Sequence, residues 1–256
     1  MIELKTGYSL SQVPYITYEA LDSYAEAVIR DFDPERLYIP GPVNAEGFVE
    51  YYLGLPTRYR RISYDRRVLA MTAFNNGFIQ VIDEDTGFTE PMPVTTGTVI
   101  VDTSLTARRN LARLRFTVMH EGAHWLLHRD TFAADNPFGS PGTFENQYLE
   151  AKEGRIDYSR SQKERTDSER IERQADFLAS ALLMPRPALR NAFRSYFGFY
   201  DERPRRIVRG ASALDNCFAA QLPEYVAGVF QVSKRAALIR LEKLTAIVDK
   251  GCQYYG

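Results

Sequence analysis

Two histidines four positions apart, with a glutamate directly behind the first, restrict the fold of this chain more than any other feature. In His120-Glu121-Gly122-Ala123-His124 the spacing acquires meaning on a helix, where 3.6 residues per turn bring positions i and i+4 onto one face. Both imidazoles can then grip one zinc ion while Glu121 reaches a water on it, which is the pattern of a zinc hydrolase. A catalytic zinc takes three protein ligands and keeps one position open, so the fold has to bring a further ligand to this helix.

Cysteine does not supply it. The 256 residues include two cysteines, Cys217 and Cys252, and three histidines. The cysteines are too few and too far apart for a zinc knuckle or a disulfide framework, and read as reduced thiols in a helical tail. His128 lies eight residues beyond His120, about 12 Å along a helix axis, too far to share a metal with both other histidines. It reads as a partner of the helix C-terminus or a neighbour of the cleft.

A carboxylate must therefore complete the triad. Glu172-Arg173-Gln174-Ala175-Asp176 opens the next long helix and sets two carboxylates one turn apart. One can ligate while the other accepts a hydrogen bond from the far nitrogen of a ligand imidazole. This Glu-x-x-x-Asp spacing resembles the corresponding helix of thermolysin-like zincins, in which the glutamate is the third ligand. Glu169, three residues earlier on a similar face, is the alternative.

Around these helices the chain reads as mixed α and β. Its 45% hydrophobic content is enough to bury a substantial core without staples. Apolar spacing predicts helices over Glu19 to Phe32 and Val43 to Leu53, the latter stopped by Gly54. Strand-like runs follow at Arg58 to Ile62, Val68 to Phe74, Phe78 to Ile82 and Thr98 to Val101, with Asn75-Asn76-Gly77 as a hairpin turn between two of them. These predict a small, mainly antiparallel sheet, with the metal-motif helix over Ala107 to His128 directly after its last strand.

From Arg129 to Asp167 a polar stretch with Pro137, Gly139, Pro141 and Gly142 reads as a long excursion or lid outside the core. A helix capped by Ser168 then runs to Pro185. A proline- and arginine-rich connection leads to a tail, Leu222 to Val248, of two short helices, the second capped by Ser233. The expected division is a domain over 1–200 that carries the insertion at about 129–167, followed by a helical C-terminal region over 201–256.

Both metal blocks together resemble the ImmA/IrrE family of metallopeptidases. The resemblance rests on Phe116-Thr117-Val118-Met119-His120-Glu121-Gly122-Ala123-His124-Trp125-Leu126-Leu127-His128 and on Glu172-x-x-Ala175-Asp176-x-x-Ala179-x-x-Leu182-Leu183-Met184-Pro185. Looser similarity extends to Gly41-Pro42-Val43, Leu53-Gly54-Leu55, Phe230-Gln231-Val232-Ser233 and Arg240-Leu241. Counted back from Pro185, Glu172 falls at the family's third zinc ligand, which favours it over Glu169. Forty-eight positions separate His124 from Glu172, longer than the family pattern leads one to expect and consistent with an insertion between the ligand helices.

The resemblance implies a zincin-like α+β fold with two ligand-bearing helices and Zn2+ held by His120, His124 and Glu172. Asp176 then supports a ligand histidine, and Glu121 is the base that activates water against a peptide carbonyl. It further implies a protein substrate, a helix-turn-helix repressor whose cleavage derepresses stress or mobile-element genes. Zincin relatives bind an extended substrate along an edge strand, for which Thr98 to Val101 is the candidate. Tyr148 and Tyr158 are candidates for stabilising the oxyanion.

Charge and hydropathy narrow the partners. With 32 Lys plus Arg against 33 Asp plus Glu, no basic field advertises nucleic acid or an anionic membrane. Neither a signal-like N-terminus nor a run long enough to span a bilayer is seen, so a cytoplasmic location is expected. Two other readings belong to different classes: a non-catalytic metal-binding sensor, and a regulator whose C-terminal helices bind DNA as a helix-turn-helix through Arg235, Arg240 and Lys243. Structural zinc takes four protein ligands, which disfavours the first. Helices that merely pack explain the same C-terminal pattern as the second.

Overall fold

The computed structural model describes residues 13–132, 148–152, 166–198 and 206–250. By internal contacts the chain divides into two units, Met1–Tyr24 with Asn44–Ala179, and Ala25–Val43 with Ser180–Gly256. Helix α1 (Tyr18–Phe32) and helix α4 (Asp167–Leu183) each contribute residues to both. No helix among the described residues is long and apolar enough to cross a membrane.

The first unit holds the metal motif. After the short helix α2 (Ala45–Gly47), which continues as a π-helical turn over Phe48–Tyr52, come five strands: β1 (Thr57–Arg60), β2 (Val68–Ala73), β3 (Gly77–Ile82), β4 (Thr89–Val94) and β5 (Val99–Asp102). Helix α3 (Leu111–Phe132) carries both histidines of the motif, and β6 (Tyr148–Lys152) precedes α4. The main sheet has the order β1-β5-β2-β6, with β1 parallel to β5 and the other pairs antiparallel, while β3 and β4 form a separate hairpin.

Strand alternation explains how β2 serves two neighbours, since successive side chains point to opposite faces. Met71 and Ala73 join Ile79, Val81, Val94 and Ile100 in a cluster between sheet and hairpin, whereas Thr72 reaches the opposite side and meets Glu121 of α3. Asp102, fully buried at the end of β5, accepts from the backbone N–H groups of Ile62 and Ser104. It thereby ties the strand to two 3-10 turns, Thr103–Thr106 and Arg108–Asn110, that lead into α3.

Several sequence expectations are corrected. The turn at Asn75-Asn76-Gly77 does not close a hairpin: both sides of β2 are taken by β5 and β6, and the chain passes to the other sheet, where β3 pairs with β4. Asn76 instead accepts from the Thr96 N–H. Strand β4 was hidden by Pro91 and Pro93, which lack a donor and suit an edge. Thr98 to Val101 is not an edge, because β5 lies between β1 and β2 with Val99, Ile100 and Val101 all fully buried.

The expected excursion is not wholly outside the core. Arg129–Phe132 belong to α3, the backbone of Tyr148–Lys152 pairs with β2, and Asp167 opens α4; residues 133–147 and 153–165, Tyr158 among them, lie outside the described residues, as does Cys252. Thr166, not Ser168, caps α4, its Oγ1 accepting from the Glu169 N–H at 3.1 Å.

In the second unit α5 (Arg186–Tyr196) occupies what read as a connection, because Pro187 sits in its first turn, where the missing N–H costs nothing. A parallel pair, β7 (Ile207–Arg209) with β8 (Ile247–Asp249), flanks α6 (Ala213–Phe230) and α7 (Lys234–Lys243). The tail helix thus starts well before Leu222 and contains Pro223, while Ser233 caps α7 as expected, accepting from Ala236 N–H. Arg240, counted among the cations of a DNA-binding tail, is 1% exposed and donates to the Met184 carbonyl. It is a packing residue, not a phosphate contact. Cys217 is exposed on α6.

Two glycines allow α3 to sit where it does. Gly97 has φ +86°, and a Cβ there would lie 3.0 Å from Leu55 and 3.5 Å from Trp125. Gly122, inside the metal motif, faces the π-helical turn so closely that a Cβ would fall 3.1 Å from Val49 and 3.3 Å from Leu53. Gly122→Leu should therefore overpack this contact and cost about 1–3 kcal/mol, read as a lower urea midpoint. A variant as stable as the natural chain would show that the contact yields freely.

Candidate metal centre

The site is assembled by α3, α4 and β2. His120 and His124 point their Nε2 atoms at each other, 2.8 Å apart, with rings nearly perpendicular. Glu172 approaches from α4, Oε2 lying 3.4 Å from His120 Nε2 and Oε1 3.6 Å from His124 Nε2. One ligand atom from each of His120, His124 and Glu172 falls within 4.8 Å of the others, so these three can hold one ion. Two nitrogens on a tetrahedral zinc stand about 3.3 Å apart, so small shifts would seat a metal. Glu169, the alternative ligand, is exposed and outside this cluster.

Each histidine is held from behind. His120 Nδ1 lies 2.9 Å from Asp176 Oδ1, one turn beyond Glu172 on α4. His124 Nδ1 lies 3.2 Å from His128 Nδ1, and His128 Nε2 lies 3.0 Å from Gln174 Oε1. Gln174 in turn donates through Nε2 to the Pro14 carbonyl at 2.8 Å. His128 is thus a neighbour of the site and not a helix terminus, since α3 runs on to Phe132.

Glu121 is fully buried. The Thr72 hydroxyl meets its Oε2 at 2.6 Å, and its Oε1 has no partner among the described residues. A buried polar atom left alone costs about 1–3 kcal/mol, so an orphaned carboxylate oxygen beside a converging donor set fits a centre built to receive an ion and a water. The residues present therefore suit a metal.

Burial sets the electrostatics. It works against charge on His120, but Asp176 and Glu172 overcome it and raise that pKa well above the ordinary range. Burial and the neighbouring His120 lower that of His124. Burial, reinforced by His124, pushes His128 down to about 3, so it is neutral. Glu172 would be raised by burial, yet the two imidazoles hold it well below the usual carboxylate range. Burial pushes Glu121 up to about 7, against the opposing pull of His120 and Thr72.

Thr72 and Gln174 escaped the sequence reading. Thr72 is one β-branched residue in a strand and carries no signal. Gln174 stood between the two carboxylates that were singled out, and a polar side chain on the inner face of a helix facing a third histidine was the available clue.

The raised Glu121 carboxyl generates a pH dependence. Its folded pKa of about 7 exceeds the ordinary 4.5, so folding favours the protonated form. The fold is most stable with respect to this group below about pH 4.5 and loses stability as pH rises to about 7, by an amount on the order of 3 kcal/mol. Glu121→Gln removes the titration. Chelator-treated Glu121→Gln should show the higher urea midpoint at pH 8, with the gap closing near pH 4.5, and equal midpoints at both would show that the carboxyl is not desolvated.

No curated protein sequence matches the chain. A family model does: the IrrE N-terminal-like domain of Peptidase_M78 aligns with residues 104–242, a span that includes α3, β6, α4 to α6 and all of α7 but its last residue. This is more than half of the 256 residues and takes in every donor of the centre, so the chain belongs to the Peptidase_M78 family of metallopeptidase type.

Proposed function

We propose that this chain is a zinc-dependent endopeptidase that makes a limited cut in a small helix-turn-helix repressor, derepressing stress or mobile-element genes. One observation carries the catalytic part: three convergent donor atoms from His120, His124 and Glu172 stand beside a buried Glu121 with an oxygen unpartnered among the described residues. Two imidazoles and one carboxylate suit the tetrahedral preference of zinc and leave a fourth position open. Zinc in such a site supplies Lewis acidity, polarising a peptide carbonyl and lowering the pKa of a water to about 7.

The chain's own groups do the rest. Glu121 takes the proton of the attacking water on Oε1 while Thr72 holds Oε2 in place, and the same carboxyl returns the proton to the leaving amine. In the metal-free chain burial raises this carboxyl to about 7, which makes it a stronger base than an exposed glutamate. Asp176 fixes the His120 ring through Nδ1.

The substrate half of the reading rests on family membership and on the need for selectivity in an intracellular peptidase, where recognition has to extend beyond the scissile bond. β6 is the outer strand of the main sheet on the side of β2, the strand that supplies Thr72. An extended segment of the repressor would pair along β6, not along the interior β5.

Metal analysis should find about one zinc per chain, lost in folded His124→Ala and Glu172→Ala variants and retained in Glu121→Gln. Retention by the first two would defeat the ligand assignment. Incubation with a helix-turn-helix repressor encoded beside this gene, with fragments mapped by mass spectrometry, should give one zinc-dependent cut that Glu121→Gln abolishes. Brisk digestion of unfolded casein without any cut in the repressor would point to a general peptidase instead.

A further inference from the structure

We propose that His128 and Gln174 form a neutral relay that fixes the tautomer of His124, which makes both of them positioning residues for a metal ligand. The inference rests on the zinc reading above for its purpose, though not for its geometry. It begins at Pro14, whose carbonyl can only accept. Gln174 Nε2, 2.8 Å away, is therefore the donor end of the amide, and a flipped amide would set two acceptors against each other. Gln174 Oε1 is left to accept, so His128 Nε2, at 3.0 Å, carries a hydrogen.

The next link is between His128 Nδ1 and His124 Nδ1, 3.2 Å apart. One must donate and the other accept, and both rings are fully buried, so bulk water does not substitute. If His128 donated here as well, it would be a cation and His124 would have to carry its own hydrogen on Nε2. That nitrogen faces His120 Nε2 and Glu172 Oε1, and a hydrogen on it would close it to a metal. Only the opposite assignment leaves the lone pair of His124 Nε2 free: His124 Nδ1–H donates to His128 Nδ1, and His128 Nε2–H donates to Gln174.

The partner of a ligand histidine sets its tautomer and orientation, and losing such a partner typically weakens metal binding about 10- to 100-fold. The carboxylate of Asp176 does this for His120. For His124 the same task falls to an imidazole backed by an amide and a backbone carbonyl.

With three histidines in the chain, selective 15N labelling and long-range proton–nitrogen correlation of the full-length protein can read every ring nitrogen, metal-free and zinc-loaded. The expected pattern is His128 protonated on Nε2 and bare on Nδ1, with His124 protonated on Nδ1. A hydrogen on His128 Nδ1, or an even mixture of tautomers, overturns the relay. Zinc titration adds a second readout. His128→Gln, whose amide can accept from His124 and donate to Gln174, should bind within about threefold of the natural chain, and His128→Leu about 10- to 100-fold more weakly.

Should His128→Leu fail to fold, Gln174→Leu keeps the histidine and should scramble its tautomer. Unchanged zinc affinity with an unchanged single tautomer in that variant counts against the relay. If the natural chain shows the expected tautomers but binds no zinc, the relay is supported and the zinc reading falls alone.

Discussion

Burial of three imidazoles and a glutamate along one helix is the constraint on which the rest of the first unit depends. His120, Glu121, His124 and His128 are each at most 4% exposed, and a polar group taken from water without a partner costs about 1–3 kcal/mol. Four such groups on α3 oblige the surrounding elements to present partners at fixed positions. Asp176 and Gln174 come from α4, Thr72 from β2, and the Pro14 carbonyl from the segment before α1. The arrangement of helix, sheet and N-terminal segment can be understood as the solution to this requirement.

That solution places opposite demands on the two sides of α3. Toward the sheet the helix needs a polar contact, and Thr72 supplies it from a strand otherwise made of apolar residues whose other face joins the β3–β4 cluster. Toward the π-helical turn it needs closeness without polarity, and Gly122 supplies that by having no side chain to collide with Val49 and Leu53. The residues between the two histidines are thus spoken for twice, once by the chemistry of Glu121 and once by packing at Gly122. α4 is pinned in the same unit by Arg170 donating to the Val13 carbonyl and by the stacking of Phe177 on Tyr18.

What was legible in the sequence follows from how local each feature is. The two helices that carry the candidate donors, the cap at Ser233 and the stop at Gly54 are set by spacing and by single residues, so they could be read directly. Long-range pairing could not. Asn75-Asn76-Gly77 has the composition of a hairpin turn, but whether β2 pairs with β3 depends on β5 and β6 occupying its two sides, which no local signal reports. The run Val99-Ile100-Val101 is apolar at every position, the mark of a strand covered on both faces, and so argued against the edge role expected for it. At the site, side chains of the right type at helical spacing brought His120, His124, Glu172 and Asp176 together on the page, whereas Thr72 and Pro14 reach the centre through folding alone.

The two histidines of the candidate centre are supported differently, and charge explains why. Glu121, Glu172 and Asp176 already bring three carboxyl groups to the centre, and the shift of Glu121 up to about 7 shows how strongly burial resists ionising another acid there. A further carboxylate behind His124, in a position where His128 and Gln174 are at most 4% exposed, would add negative charge where a divalent ion could no longer balance it, at the steep cost of an unpaired buried ion. An imidazole, an amide and a backbone carbonyl in series direct the same hydrogen bond with no net charge. The partly solvated side of the centre, where Asp176 retains 15% and Glu172 39% side-chain exposure, can hold carboxylates, and the sealed side holds neutral groups. Solvent access across a few ångströms thus decides which chemistry each histidine's partner has.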